Sequence, residues 1–177
     1  MKRDDRGFTL VEAIIVIALI GIVGGFLIGG MGYIPSSAAR SLATSIKNAI
    51  GETRIKTMGK QETALYLYRD ASDNKYYKQL VYKENGTVKT DTPEMIGKHH
   101  PTVTYYYNDG SGDVSAQLDS TGLLIGFDRT NGKEAAITLD VGGTSMTSKM
   151  CNKIVVTGGG ATCNITIVPA TGKVIYE

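Results

Sequence analysis

One apolar segment, residues 8–33, constrains this chain more than any other feature. As an α-helix its 26 residues would extend roughly 39 Å, which exceeds the hydrocarbon core of a bilayer, about 30 Å thick. The segment contains a single charged residue, Glu12, near its start. Because a carboxylate costs about 2.5–3.5 kcal/mol at the centre of a membrane helix, its presence needs a functional reason. The pattern predicts a transmembrane helix over residues 8–34 that carries one charged residue with a functional role.

A short charged leader, residues 1–7, precedes this segment and contains three basic and two acidic residues. Basic residues beside an apolar helix favour the cytoplasmic side of the membrane. We therefore predict a cytoplasmic N-terminus and an extracytoplasmic C-terminal domain. A removed secretory signal is the alternative, but its apolar core typically has about 7–15 residues. The greater length here favours a helix that is retained.

Six glycines lie in the apolar segment. Gly21, Gly25 and Gly29 are spaced four apart and fall on one face of a helix, where they would let neighbouring helices approach closely. Glycine is also common in membrane helices without any special role. The sequence leaves both interpretations open.

Residues 35–59 predict an amphipathic continuation of the helix. Pro35 interrupts the helical pattern or starts a second segment, and Gly59 is the expected C-cap. Apolar residues recur at helical spacing and should dock on the domain that follows: Ala38, Ala39, Leu42, Ala43, Ile46, Ala49 and Ile50.

Residues 60–177 predict an extracellular β-rich domain, so the chain as a whole is α+β. Runs of tyrosine and β-branched residues alternate with glycine- and asparagine-containing turns at hairpin spacing. Nine mostly antiparallel strands are expected, over 63–69, 76–82, 102–107, 114–118, 123–128, 135–141, 154–157, 164–168 and 173–176.

Two cysteines, Cys151 and Cys163, occur in this domain. An exported compartment permits a disulfide between them. If the strands around them form a hairpin, the two cysteines are not directly opposite each other, and Cys151 would have to fold back from the strand end to reach Cys163. The alternatives are a disulfide and two independent small side chains.

The sequence contains no pattern that is typical of a metal-binding site. His99 and His100 are adjacent in a loop predicted over 93–101, and adjacent side chains of an extended chain point to opposite sides. Asp109 and Asp113 flank a glycine-containing loop that lacks the terminal glutamate of an EF-hand. We expect neither a metal nor another cofactor.

Catalytic and nucleic-acid-binding patterns are equally weak. The three glycines at 158–160 lie between predicted strands, which favours a hairpin turn over a phosphate loop. The Asn164–Thr166 glycosylation sequon falls within a predicted strand. Basic residues form no stripe, and the formal net charge is only +2, so nucleic-acid binding is not indicated. We expect no enzymatic activity.

The N-terminus resembles a type IV prepilin leader, on the sequence Gly-Phe-Thr-Leu-Val-Glu over residues 7–12. The resemblance implies that a prepilin peptidase cleaves between Gly7 and Phe8 and that the new N-terminal Phe8 is methylated. It also implies anchoring in membrane lipid, contact with an inner-membrane assembly platform, and assembly with other pilin subunits through the helix. In the filament, Glu12 would meet the Phe8 amine of a neighbouring subunit.

A second resemblance, to GspH/FimT-type minor pilins and pseudopilins, is carried by segments 51–57, 122–132 and 165–174. It implies a long helix packed on a pilin-like β-sandwich and a place in a pilus or pseudopilus at the cell surface. The sequence does not separate a type IV pilus from a type II secretion or DNA-uptake pseudopilus. The alternative function is a single-pass anchored binding or adhesion domain that never polymerises. A secreted enzyme, the third class, lacks a candidate site.

Overall fold

The structure is a computed structural model that describes four segments of the chain, residues 10–30, 33–58, 62–98 and 101–177. For residues 25–30 and 33–35 it describes the backbone alone. Several predicted features lie outside the described residues, namely Gly7, Phe8, Gly59, His99 and His100.

Two helices open the described chain. Helix α1 spans Leu10–Gly30 and helix α2 spans Tyr33–Thr57. Pro35 therefore lies in the first turn of α2, where its missing N–H removes no helical hydrogen bond. Within the four described segments, no helix is long and apolar enough to cross a membrane.

Twelve strands follow in the described residues, and all their pairings are antiparallel. In chain order, β1 to β12 are Thr63–Arg69, Tyr76–Glu84, Thr87–Thr90, Glu94–Gly97, Thr102–Asn108, Asp113–Gln117, Leu123–Gly126, Thr138–Val141, Thr144–Thr147, Cys151–Gly158, Ala161–Val168 and Lys173–Tyr176. The predicted α+β class is confirmed.

The strands form two five-stranded sheets and one separate hairpin. The first sheet has the order β3-β2-β1-β7, with β4 also paired to β2. The second has the order β12-β11-β10-β5-β6, and β8 pairs with β9 alone. Strand β12 is therefore an edge of the second sheet.

One main core joins α2 to both sheets. The helix buries six of the predicted apolar residues, each at most 2% exposed: Ala39, Leu42, Ala43, Ile46, Ala49 and Ile50. They cluster with Leu65 and Ile125 of the first sheet and with Ile154 and Ile165 of the second. Each such leucine or isoleucine contributes about 1.5–3 kcal/mol when buried. The predicted docking face of the helix is confirmed.

A second, smaller cluster lies on the other face of the first sheet. Leu65 of β1 faces the main core, whereas its neighbour Ala64 packs with Leu124 of β7 and Leu139 of β8. Successive side chains of a strand alternate between faces. Burial on both faces therefore explains why β7, Leu123–Gly126, is apolar without alternation.

All nine predicted strands occur, β1 and β12 with the predicted ends and the other seven with shifted ends, but three further strands were missed. Strand β4 lies inside the predicted loop over 93–101, so that prediction was wrong for Glu94–Gly97. Strands β3 and β9 are short and polar, which hid them from a hydrophobic pattern. The turn before each strand could have revealed it. Asn85 and Gly86 before β3 have φ values of 51° and 81°, and Gly142 and Gly143 before β9 have φ values of 61° and 84°, the left-handed pairs of tight hairpins.

The glycine-rich segment after β10 forms a hairpin turn, as predicted. Gly159 and Gly160 connect β10 to β11 with φ values of 57° and 80°, which suits a two-residue hairpin loop. The sequon that begins at Asn164 lies within β11, also as predicted.

Candidate functional site

Helix α1 is the first candidate site, because its apolar side chains are left uncovered by the rest of the chain. Ten large apolar residues are exposed: Leu10, Val11, Ile14, Ile15, Val16, Ile17, Leu19, Ile20, Ile22 and Val23. The exposed fraction is 78% for Leu10 and 70% for Ile17. Burying side chains of this size stabilises by about 1.5–3 kcal/mol each, so this helix has a strong tendency to enter an apolar environment.

Glu12 lies in the first described turn of α1 and is exposed to solvent. The described residues that follow it on the helix, Ala13, Ile14, Ile15 and Val16, are apolar. An acid near a helix N-terminus is favoured by the helix dipole, by about 0.3–1 kcal/mol at an exposed position. This interaction is smaller than the cost of placing a carboxylate in an apolar environment. In such an environment, the Glu12 carboxylate would therefore need a stronger electrostatic interaction than the helix dipole provides.

The second candidate site lies where the end of α2 meets two turns of the β-domain. The Nε of Arg54 donates a hydrogen bond of 3.0 Å to the carbonyl oxygen of Gly132. Gly172, in the turn before β12, packs against the same carbonyl, since a Cβ at Gly172 would come within 2.0 Å of it. The three segments named in the second resemblance therefore meet at one point of the fold.

Replacing Gly172 with alanine should lower the melting temperature by about 5–10 °C. Its φ of 64° already disfavours a side chain, and the new Cβ would also clash with the Gly132 carbonyl. We expect a loss of about 2–3 kcal/mol, measured by thermal unfolding of the full chain in detergent. Gly142→Ala is the matched control, because Gly142 has a φ of 61° but open space around it. Equal losses in the two variants would contradict the packing contact.

Glu134 is a buried carboxylate next to this junction, and no sequence pattern singled it out. It is 4% exposed, and its backbone N–H donates to the carbonyl oxygen of Pro169 at 3.2 Å. Its Oε1 accepts a hydrogen bond of 2.5 Å from the backbone N–H of Cys151, whereas Oε2 has no hydrogen-bond partner in the described chain. Burial raises the pKa of Glu134 to about 7. Glu134 therefore ties the loop after β7 to the start of β10.

The two cysteines are free and buried, so of the two alternatives that the sequence left open, the structure has two independent side chains rather than a Cys151–Cys163 disulfide. Cys163 lies opposite Val156, and Cys151 is five residues further along β10. At about 3.3 Å per residue the two are roughly 16 Å apart along the strands, whereas bridged Cα atoms lie about 4.4–6.8 Å apart. Strand β10 begins at Cys151 rather than at 154, so Cys151 is held in the ladder and cannot fold back.

Cys151 offers no nucleophile at neutral pH. Burial, with a further contribution from the nearby Glu134 carboxylate, raises the pKa of Cys151 to about 12, so the reactive thiolate is suppressed. Cys163 is 5% exposed and its Sγ accepts a hydrogen bond from the hydroxyl of Tyr176 at 3.4 Å. Among the described residues, no group of three or more His, Cys, Asp or Glu side chains could hold a metal ion.

The loop with Asp109 is closed by its own hydrogen bonds. The Oδ1 of Asp109 accepts from the backbone N–H of Ser111 at 2.9 Å and from its hydroxyl at 2.6 Å. The hydroxyl and backbone hydrogen bonds lower the pKa of Asp109. This carboxylate therefore supports the β5–β6 turn.

Comparison with known families identifies the N-terminal segment. Residues 2–28 match the family model of the prokaryotic N-terminal methylation motif. The match includes Gly7, Phe8 and Glu12 and supports a type IV prepilin-like N-terminus. No curated protein and no solved structure matches the chain significantly.

Proposed function

We propose that this chain is a structural subunit of a type IV pilus or a type II secretion-like pseudopilus. One observation carries the proposal: the segment that matches the methylation motif includes ten exposed, large apolar side chains of helix α1, between Leu10 and Val23. Such a helix is stable in lipid or against other apolar helices. The helix would anchor the subunit in the membrane before assembly and pack in the filament core afterwards.

The chemistry of the motif explains the position of Glu12. Cleavage after Gly7 would convert the Phe8 amide into a positively charged amine, four residues from Glu12. In a bundle of such helices, the amine of one subunit can pair with the Glu12 carboxylate of its neighbour. A buried pair of this kind fixes axial register, as a buried polar residue does in a coiled coil. The uncleaved leader would prevent the pair from forming.

We further propose that the chain is a minor, GspH/FimT-type subunit displayed at the cell surface. In support, the three segments that carry this resemblance contact one another through Arg54, Gly132 and Gly172. Helix α2 packs between two antiparallel sheets, an arrangement that suits a pilin-like globular domain. The partners would be the prepilin peptidase, other pilin subunits and the assembly platform of the inner membrane.

Processing is tested by the intact mass of the full chain, extracted in detergent from hosts with and without a prepilin peptidase. With the peptidase we expect a chain that begins at Phe8 and carries one methyl group. Without it we expect the leader to be retained. Gly7→Val is the matched variant and should keep the leader in both hosts. A chain that begins at Met1 despite an active peptidase would contradict the proposal and favour an anchored domain that does not polymerise.

A further inference from the structure

Strand β12 presents an open backbone edge within the part of the chain that the structure describes. It is the last strand in the order of the second sheet. Glu177, just past its end, exchanges two hydrogen bonds with Asn164, at 2.8 and 2.9 Å. Because the direction of backbone groups alternates along an antiparallel strand, Val174 and Tyr176 direct their N–H and C=O groups away from β11. The edge therefore offers two donors and two acceptors.

A groove of about 580 Å³ runs beside this edge. One wall is formed by Gly172, Lys173 and Val174, and the other by the exposed turn of α2 that includes Gly51 and Ile55. Ile55 is 68% exposed, an unusual position for isoleucine in a helix that buries Leu42, Ile46 and Ile50. Gly51 has open space where a side chain would be. The groove thus has room for an additional strand, and the exposed side chain of Ile55 offers an apolar surface against which that strand can pack.

The charges around the groove are predominantly positive. Lys47, Arg54 and Lys173 line it, together with one acid, Glu52. Glu52 is already paired with Lys56 at 2.8 Å and with Lys78 at 3.5 Å. Lys47 and Lys173 have no ion pair within the described segments. An occupant of this groove should therefore carry acidic side chains.

We propose that the β12 edge binds an extended segment of a partner protein in which acidic residues alternate with apolar ones. The segment adds a sixth strand to the second sheet through Val174 and Tyr176. Its apolar side chains contact Ile55 on the side of α2, and its carboxylates, which alternate to the opposite face of the added strand, pair with Lys173. Strand addition gives affinity through main-chain hydrogen bonds and specificity through alternate side chains. This inference goes beyond the proposed function and does not depend on polymerisation.

The test uses the full chain in detergent and a fluorescein-labelled peptide of alternating glutamate and valine. We expect fluorescence anisotropy to report binding at least ten times tighter than that of the matching lysine–valine peptide. Residue-resolved hydrogen exchange should show slower exchange at Val174 and Tyr176. The amides of Ile175 and Glu177, which face β11, should be unchanged. Failure of the glutamate peptide to bind, or binding that leaves both Val174 and Tyr176 unprotected, would overturn the proposal.

Two variants separate backbone pairing from charge. Val174→Pro removes an N–H that points into the groove and should weaken peptide binding at least tenfold, with circular dichroism verifying the fold. Lys173→Glu should weaken it at least tenfold, whereas Lys83→Glu, an exposed lysine in the first sheet, should have no effect. Equal effects of the two lysine variants would overturn the charge argument. The proposal would also be overturned if a single-stranded oligonucleotide displaced the peptide and did not slow hydrogen exchange at Val174 or Tyr176.

Discussion

Replacing Glu12 with valine should reduce incorporation of the chain into filaments roughly a hundredfold, while cleavage and membrane insertion stay normal. The substitution would leave the Phe8 amine of a neighbouring subunit in an apolar core without its partner. Breaking a buried ion pair in this way costs about 3–5 kcal/mol, and about 1.4 kcal/mol corresponds to a factor of ten. Crosslinking of the variant into purified filaments measures incorporation, and intact mass measures cleavage.

Two further variants distinguish charge from shape at this position. Glu12→Gln preserves the shape of the side chain but removes its charge, so it should fail to incorporate like the valine variant. Leu19→Val changes another exposed residue of α1, 56% exposed, and should incorporate normally. Normal incorporation of Glu12→Val would eliminate the proposed role of Glu12 in register.

Glu134 should make the β-domain less stable as the pH rises from about 4.5 to about 7. Burial raises its pKa from 4.5 to about 7, so the folded chain binds this proton more tightly than the unfolded chain does. The folded state therefore loses stability between about pH 4.5 and pH 7, by about 3 kcal/mol from this group. Below 4.5 the group is protonated in both states, and its contribution no longer changes with pH.

The Glu134→Gln variant measures this contribution directly, because glutamine is neutral at every pH. In urea unfolding of the full chain in detergent, it should match the parent at pH 4.5 and exceed its stability by about 2–3 kcal/mol at pH 8. Glu62→Gln, at an exposed position, is the control and should leave the pH dependence unchanged. A Glu134→Gln variant whose stability difference from the parent is the same at both pH values would show that Glu134 does not titrate in this range.

Local patterns predicted much of the architecture because they report properties of short segments. The spacing of Leu42, Ile46 and Ile50 depends only on helical periodicity, and these residues are buried as expected. Strands rich in tyrosine and β-branched residues were also found. Short polar strands such as β9, Thr144–Thr147, were missed because their stability comes from pairing with β8 rather than from their own composition.

The candidate sites also differ in whether the sequence alone could predict them. The prepilin-like motif is contiguous, so Gly7, Phe8 and Glu12 could be recognised from the sequence alone, and the family model supports that recognition. Their roles in processing and register stay predictions. The distance between Cys151 and Cys163 depends instead on strand register, and a shift of one residue would move every side chain of a strand to its other face. The sequence could not decide it, and the observed register separates the two thiols.

By itself, the sequence determined that this chain has an apolar N-terminal helix with one acid, an amphipathic second helix and an antiparallel β-domain. These conclusions follow from periodicity, turn chemistry and a contiguous motif. Only the tertiary structure placed Arg54 against Gly132, left the buried Oε2 of Glu134 without a hydrogen-bond partner among the described residues, and left the β12 edge beside a basic groove. The physical reason is that burial, desolvation and an open sheet edge arise from contacts between residues far apart in the chain, and no local pattern encodes them.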